Sequence, residues 1–251
     1  MGFFKNILSS AGLGGVQVDT VLSKSSVRVG KEIEGVVNIV GTSSRKTIDK
    51  VEVELKAECI KGTITTLVKL IVARAIEVGA NETLQIPFGF TVPKHTPISM
   101  NTRNVWVETE VEIPLALDPE DRDYVEVRPS HAMEVVLDAM TNVLGFKLRK
   151  VQCKESNIQG SQGGFVQEFE FVPQTTFKSF LDEIEITFLP HNDGVNIFMQ
   201  VDRKVRGVKS LFEEAAGLDE TNVRFAITNQ EAAQGSQYVA ETLESVMRRY
   251  S

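Results

Sequence analysis

An all-β protein built from antiparallel sandwiches is the fold this sequence predicts, and three observations predict it. Apolar and polar residues alternate with period two over many stretches, among them 51–59, 105–113 and 183–188. Such a period sends one set of side chains into a core and the other into water, which is the pattern of a half-buried strand. Glycine, proline and asparagine turns punctuate these stretches at short intervals, and helical spacing is confined to a few short segments.

Taken in order, residues 2–10 are the first of those segments. Phe3, Phe4, Ile7 and Leu8 fall on one side at helical spacing, with Lys5, Asn6, Ser9 and Ser10 on the other, and Gly12, Gly14 and Gly15 end the run. This is either a membrane-touching or partner-binding amphipathic helix or a short cap on a sandwich. A single lysine is too little positive charge to hold anionic lipid. Strands are predicted over 16–22, 32–40, 48–59, 67–78, 84–92 and 105–113. In 84–92 the apolar residues hold one face while Pro87 and Gly89 occupy the other, which suits an edge strand because proline cannot donate to a ladder. Residues 118–123 read as a polar loop, 124–128 as one more strand, and Pro129 resets the backbone, so a domain boundary is placed at 128–130, giving domains 1–128 and 129–251.

Ser130 is positioned to cap a helix whose apolar residues Met133, Val136, Leu137, Met140, Val143 and Leu144 recur at steps of three and four, with Gly145 closing it. Strands follow over 146–153, 165–172, 183–189, 194–202 and 221–228. Residues 160–164 and 191–194 read as hairpin loops, the second through Asp193-Gly194. The tail regains helical spacing through Tyr238, Val239, Leu243, Val246, Met247 and Tyr250.

The chain has 251 residues, 42% of them apolar and 24% charged, enough to bury real cores and inconsistent with disorder. The net charge of −7 divides as −2 over residues 1–128 and −5 over 129–251. Neither half is basic, so nucleic acid is not an expected partner. Two cysteines, Cys59 and Cys153, are too few for a disulfide framework or a zinc site and are expected to pack as small hydrophobes. No apolar run approaches the roughly 20 residues that span a bilayer, and no leader pattern opens the chain, so a cytoplasmic location is expected.

Few residues suggest chemistry. His95, His131 and His191 sit at turns or a helix start, none at metal-ligand spacing, and no nucleophile, phosphate-loop or dinucleotide motif occurs. No catalytic residue, cofactor or metal is therefore assigned. Asp118, Asp121 and Asp123 lie in the polar segment, where Pro119 and Arg122 suit a calcium cage poorly. A solvated loop or carboxylates paired with arginines of the other domain are the two readings. Arg203, Lys204, Arg206 and Lys209 crowd the end of a strand and suit an acidic partner, an anionic ligand or an interdomain ion pair; the plainer alternative is a charged surface loop. Trp106 alternates with Glu108, Glu110 and Glu112, so it points to the polar face, against another domain, a partner, or the N-terminal helix.

Three segments carry a family likeness. They are Met1-Gly2-Phe3-Phe4-Lys5 with Val18-Asp19-Thr20-Val21-Leu22 and Gly30-Lys31-Glu32-Ile33-Glu34-Gly35; Ile86-Pro87-Phe88-Gly89-Phe90-Thr91-Val92-Pro93; and Val201-Asp202-Arg203-Lys204-Val205-Arg206-Gly207. In their order and spacing they resemble the sporulation-control protein family of spore-forming bacteria, within the wider arrestin-like fold group. The resemblance implies two tandem antiparallel β-sandwich domains of arrestin-like type with a few short peripheral helices. It also implies no catalysis and a regulatory scaffold that controls early sporulation, or a related stress or cell-cycle decision, through contacts with regulatory or cytoskeletal proteins. The family supplies no list of functional residues, so the candidates remain those of the local reading. A charge-controlled latch between 118–123 and 203–209 is one mechanism this arrangement suggests. A small-ligand or lipid carrier and a membrane-associated adaptor using Phe3, Phe4, Ile7 and Leu8 are the alternatives.

Overall fold

The computed structural model describes residues 15–100, 102–115, 118–156, 161, 163–204 and 220–250. They fall into two compact units, Met1–Arg128 and Pro129–Ser251.

In unit 1 the strands run β1 (Val16–Leu22), β2 (Ser26–Arg28), β3 (Glu32–Gly41), β4 (Lys46–Ile60), β5 (Thr63–Val78), β6 (Thr83–Thr91), β7 (Val105–Glu112), β8 (Glu120–Tyr124) and β9 (Glu126–Arg128). One sheet has the order β1-β3-β6, a second the order β5-β4-β7-β8, and β2 pairs with β9 in parallel. The inward sets are those the alternation dictates. Val18, Ile33, Val37, Ile39, Phe88 and Phe90 of the first sheet are buried, as are Val51, Val53, Leu55, Val107 and Val111 of the second. Between the sheets the Thr20 hydroxyl donates to the Thr109 hydroxyl at 2.7 Å, satisfying two polar groups that the core would otherwise penalise. β6 is an edge strand, as its proline requires.

β5 begins earlier than the sequence indicates, and its register explains why. Val51 lies opposite Ala73 but Glu52 opposite Ile71, and Leu55 lies opposite Val68 but Lys56 opposite Thr66. Val72 and Leu67 are therefore extra residues on β5, two bulges that each reset the alternation. The apolar run 67–73 loses its period of two for that reason, and the bulges also blunt this edge strand against unwanted pairing.

The polar loop expected at 118–123 is instead largely strand: Glu120–Tyr124 pairs with β7 in antiparallel register, Trp106 opposite Tyr124 and Thr109 opposite Asp121. Residues 124–128 are likewise not one strand. The chain leaves the large sheet at Tyr124 and enters the small parallel pair at Glu126.

Unit 2 opens with α1 (His131–Asp138), capped by the Ser130 hydroxyl, which accepts from the Met133 amide at 3.3 Å. One π-helical turn, Ala139–Val143, extends it, and Gly145 with φ +69° ends it. The sheet that follows is antiparallel in the order β10 (Phe146–Glu155), β11 (Phe165–Pro173), β12 (Leu181–His191), β13 (Gly194–Arg203), β14 (Glu220–Thr228). Asn192 and Asp193 form the tight turn between β12 and β13. Gly194, at φ +141°, is needed there because a Cβ would lie 2.2 Å from the Ile227 carbonyl oxygen. Two further helices close the chain, α2 (Asn229–Ala232) and α3 (Ser236–Tyr250). Phe169, Phe171, Ile184, Ile186, Ile197 and Met199 of the sheet are buried, and so are Val136 and Met140 of the first helical segment and Leu243 and Met247 of α3.

Neither cysteine is a free thiol. Both side chains are only half-buried, which corrects the expectation of thiols packed as core hydrophobes.

Candidate functional site

β8 organises the site, because its five residues sort by parity into two chemically distinct faces. Glu120, Arg122 and Tyr124 look outward, and Asp121 and Asp123 look toward β1.

On the outer face, charged residues from four neighbouring strands interlock. Glu108 on β7 is the hub. It accepts from the Trp106 indole N–H at 2.9 Å and from the Arg122 guanidinium at 2.8 Å, and it pairs with Lys56 on β4. Lys56 also meets Glu54 at 2.7 Å, Lys69 on β5 bridges Glu54 at 3.0 Å and Glu52 at 2.6 Å, and Lys50 joins Glu52 to Glu112. These partners follow from register: Lys69 lies opposite Glu54, and both Lys56 and Tyr124 lie opposite Trp106. Burial pushes the Glu108 carboxyl upward, but the hydrogen bonds from Lys56, Trp106 and Arg122 outweigh it and hold the group below its ordinary range. Glu54 is lowered in the same way by Lys56 and Lys69.

Trp106 sits within this network, on the polar face as its alternation indicates, yet it is only 3% exposed. The Arg122 guanidinium lies over its ring at 4.7 Å, and Tyr124 packs beside it with ring centroids 6.2 Å apart. Tyr124 itself is 46% exposed. An arginine and a tyrosine held in place on a buried tryptophan form a stiff, amphipathic surface of the kind that anchors protein contacts.

On the other face, Asp121 of β8 accepts from the Thr20 amide of β1 at 2.7 Å, so one carboxylate joins the edges of the two sheets. Asp123 and Asp19 lie close to it. Burial, with Asp121 and Asp19 nearby, pushes the Asp123 carboxyl up to about 7, and burial with Asp121 also raises Asp19. Asp118 has a local task, accepting from the Ile113 amide at 3.1 Å to close the β7–β8 connection. Among the described residues no group of three His, Cys, Asp or Glu side chains is arranged to hold a metal ion.

The remaining sequence candidates are dispersed. Arg203 ends β13 and lies opposite Leu181. Lys204 follows it, its ammonium donating to the Lys178 carbonyl at 2.8 Å and lying 3.9 Å from Asp182. Arg206, Lys209, Phe3, Phe4, Ile7 and Leu8 lie outside the described residues, as do the N-terminal helix and most of the basic run. The structure thus gathers Trp106, Asp121 and Asp123 on one strand pair. Around them it adds Glu108, Arg122, Lys56 and Asp19, which the sequence did not single out. Glu108 and Arg122 carried a usable signal: one is two residues from Trp106 on the same face, and the other alternates with Asp121 and Asp123.

Comparison with known proteins adds to this geometry. The sequence model of the SpoOM protein family matches residues 4–205. The sporulation-control protein spo0M of Bacillus subtilis (strain 168) is 32% identical over 259 residues, covering all of both chains. The crystal structure of Spo0M from Bacillus subtilis superposes with a TM-score of 0.79 at 29% identity, over 95% of this chain and 100% of that one. The fold shared with it is all-β, of arrestin-like type, in several antiparallel sheets with a few short helices.

Proposed function

The chain belongs to the SpoOM protein family, and from that membership we propose that it is a non-enzymatic cytoplasmic regulator of early sporulation or of a related stress or cell-cycle decision. The observation that carries this is the correspondence with a sporulation-control protein from end to end of both chains. Regulation in this account works through protein contacts. The outer face of β7 and β8 supports it: Tyr124 and Arg122 are exposed there over a buried indole, with Glu110 and Glu120 exposed beside them. Arginine and tyrosine anchors with fixed rotamers lose little entropy on docking.

Complementation tests the proposal. In Bacillus subtilis lacking its own spo0M, expression of this chain is expected to move the heat-resistant spore count back toward that of the parent strain. A chain that accumulates in folded form and leaves the count at the deletion level refutes the assignment.

A further inference from the structure

We propose that Asp19, Asp121 and Asp123 form a proton-operated clasp between β1 and β8, closed when the three carboxyls share a proton and loosened when that proton leaves.

The geometry carries the argument. β1 and β8 are edge strands of different sheets, and no backbone ladder joins them. Their link is a side chain to backbone hydrogen bond, from the Thr20 amide to Asp121 Oδ2 at 2.7 Å. The bond depends on an Asp121 carboxylate that stays in place. Next to it, Asp123 Oδ2 is buried and no donor among the described residues reaches it. A buried ionised oxygen without a donor is costly, and the ordinary remedy is a hydrogen-bonded cation or a water. The described strands around it supply no cation. β1 contributes another carboxylate, Asp19. β7 presents uncharged Val107 and Thr109, which lie opposite Asp123 and Asp121. The one cation of β8, Arg122, is turned to the outer face, where Glu108 and Trp106 hold it.

A proton resolves the arrangement. Protonated Asp123 becomes a donor and turns its O–H toward the Asp121 carboxylate. Asp121 then receives two hydrogen bonds, one from Asp123 and one from the Thr20 amide. The upward shift of Asp123 to about 7 agrees with this, caused by burial first and by Asp121 and Asp19 after it. The sign follows from linkage. A carboxyl raised above its ordinary value of 3.8 binds its proton more tightly in the folded than in the unfolded chain. The fold therefore loses stability as pH rises from about 4 to about 7, and the loss is complete above that. Because the repulsion arises at the β1–β8 edge, loosening is local to that seam and frees strand edges on a chain proposed to act by contact.

Hydrogen exchange of the Thr20 amide in the full chain reads the clasp directly. Once corrected for intrinsic exchange, its protection is expected to fall about tenfold between pH 6 and pH 8, while amides in the middle of β4 change little. Asp123→Asn, whose amide can donate to Asp121 at any pH, is expected to keep the protection at both. Asp19→Asn removes one repelling charge and is expected to move the midpoint down. A carboxyl-carbon titration of the unaltered chain guards against a variant that fails to fold. Thr20 protection that does not change with pH, a parallel fall in Asp123→Asn, or an Asp123 midpoint near 4 would each overturn the proposal.

Discussion

Removing Glu108 should unfasten the outer face of unit 1, and the size of the effect can be worked from its partners. Glu108→Ala deletes the acceptor for the Trp106 indole, for Arg122 and for Lys56. These losses are unequal. Lys56 keeps Glu54 at 2.7 Å, and Arg122, 43% exposed, can hydrate, so each costs well under 1 kcal/mol, as surface pairs do (roughly 0–1 kcal/mol). The indole N–H belongs to a residue 3% exposed and is left unsatisfied, at about 1–3 kcal/mol. Lost packing of the Glu108 stem adds a little, for a total of about 2–3 kcal/mol. Trp106 is the only tryptophan in the chain, so its emission during urea unfolding reports on unit 1 alone, and urea leaves ion pairs unscreened. Because Glu108 titrates below its ordinary value of 4.5, its stabilisation is present above that pH and lost as pH falls through the folded value. The gap between Glu108→Ala and the parent should be full at pH 7 and smaller at pH 3. A variant within about 0.5 kcal/mol of the parent at pH 7 would refute the assignment of Glu108 as hub.

One further outcome is expected. Phe169→Ala in the middle of β11, where the ring is fully buried and meets Phe188 edge-on at 5.3 Å, should cost about 3–5 kcal/mol in unit 2. Trp106 emission should leave that loss unseen, and circular dichroism should record it.

Where alternation was clean, the strands were legible. β3, β4, β6 and β7 are found within a residue or two of their expected ends, because one apolar set per strand had to face a core. β5 reads shorter in the sequence than it is because the bulge residue Leu67 breaks the period at its expected start, and a bulge leaves no mark in composition. β8 was hidden for a different reason: Glu120 to Asp123 is polar on both faces, so alternation between exposed and half-buried carries no hydrophobic contrast. Its content as a site was hidden with it, since Asp121 and Asp123 acquire meaning only when β1 brings Asp19 and the Thr20 amide to them. The short helix α2 carries a sequence signal of its own. Thr228 and Glu231 stand three apart as a capping box, with the Thr228 hydroxyl accepting from the Glu231 amide and the Glu231 carboxylate accepting from the Thr228 amide.

The outer face of β7 and β8 is the surface proposed to meet other proteins. Proximity labelling in the native cell tests that contact, with the full chain compared against a double variant, Glu110→Lys with Tyr124→Ala, whose circular dichroism and urea midpoint show that it is folded. A reproducible set of proteins is expected around the parent chain and depleted around the variant. Identical labelling by both chains would contradict it.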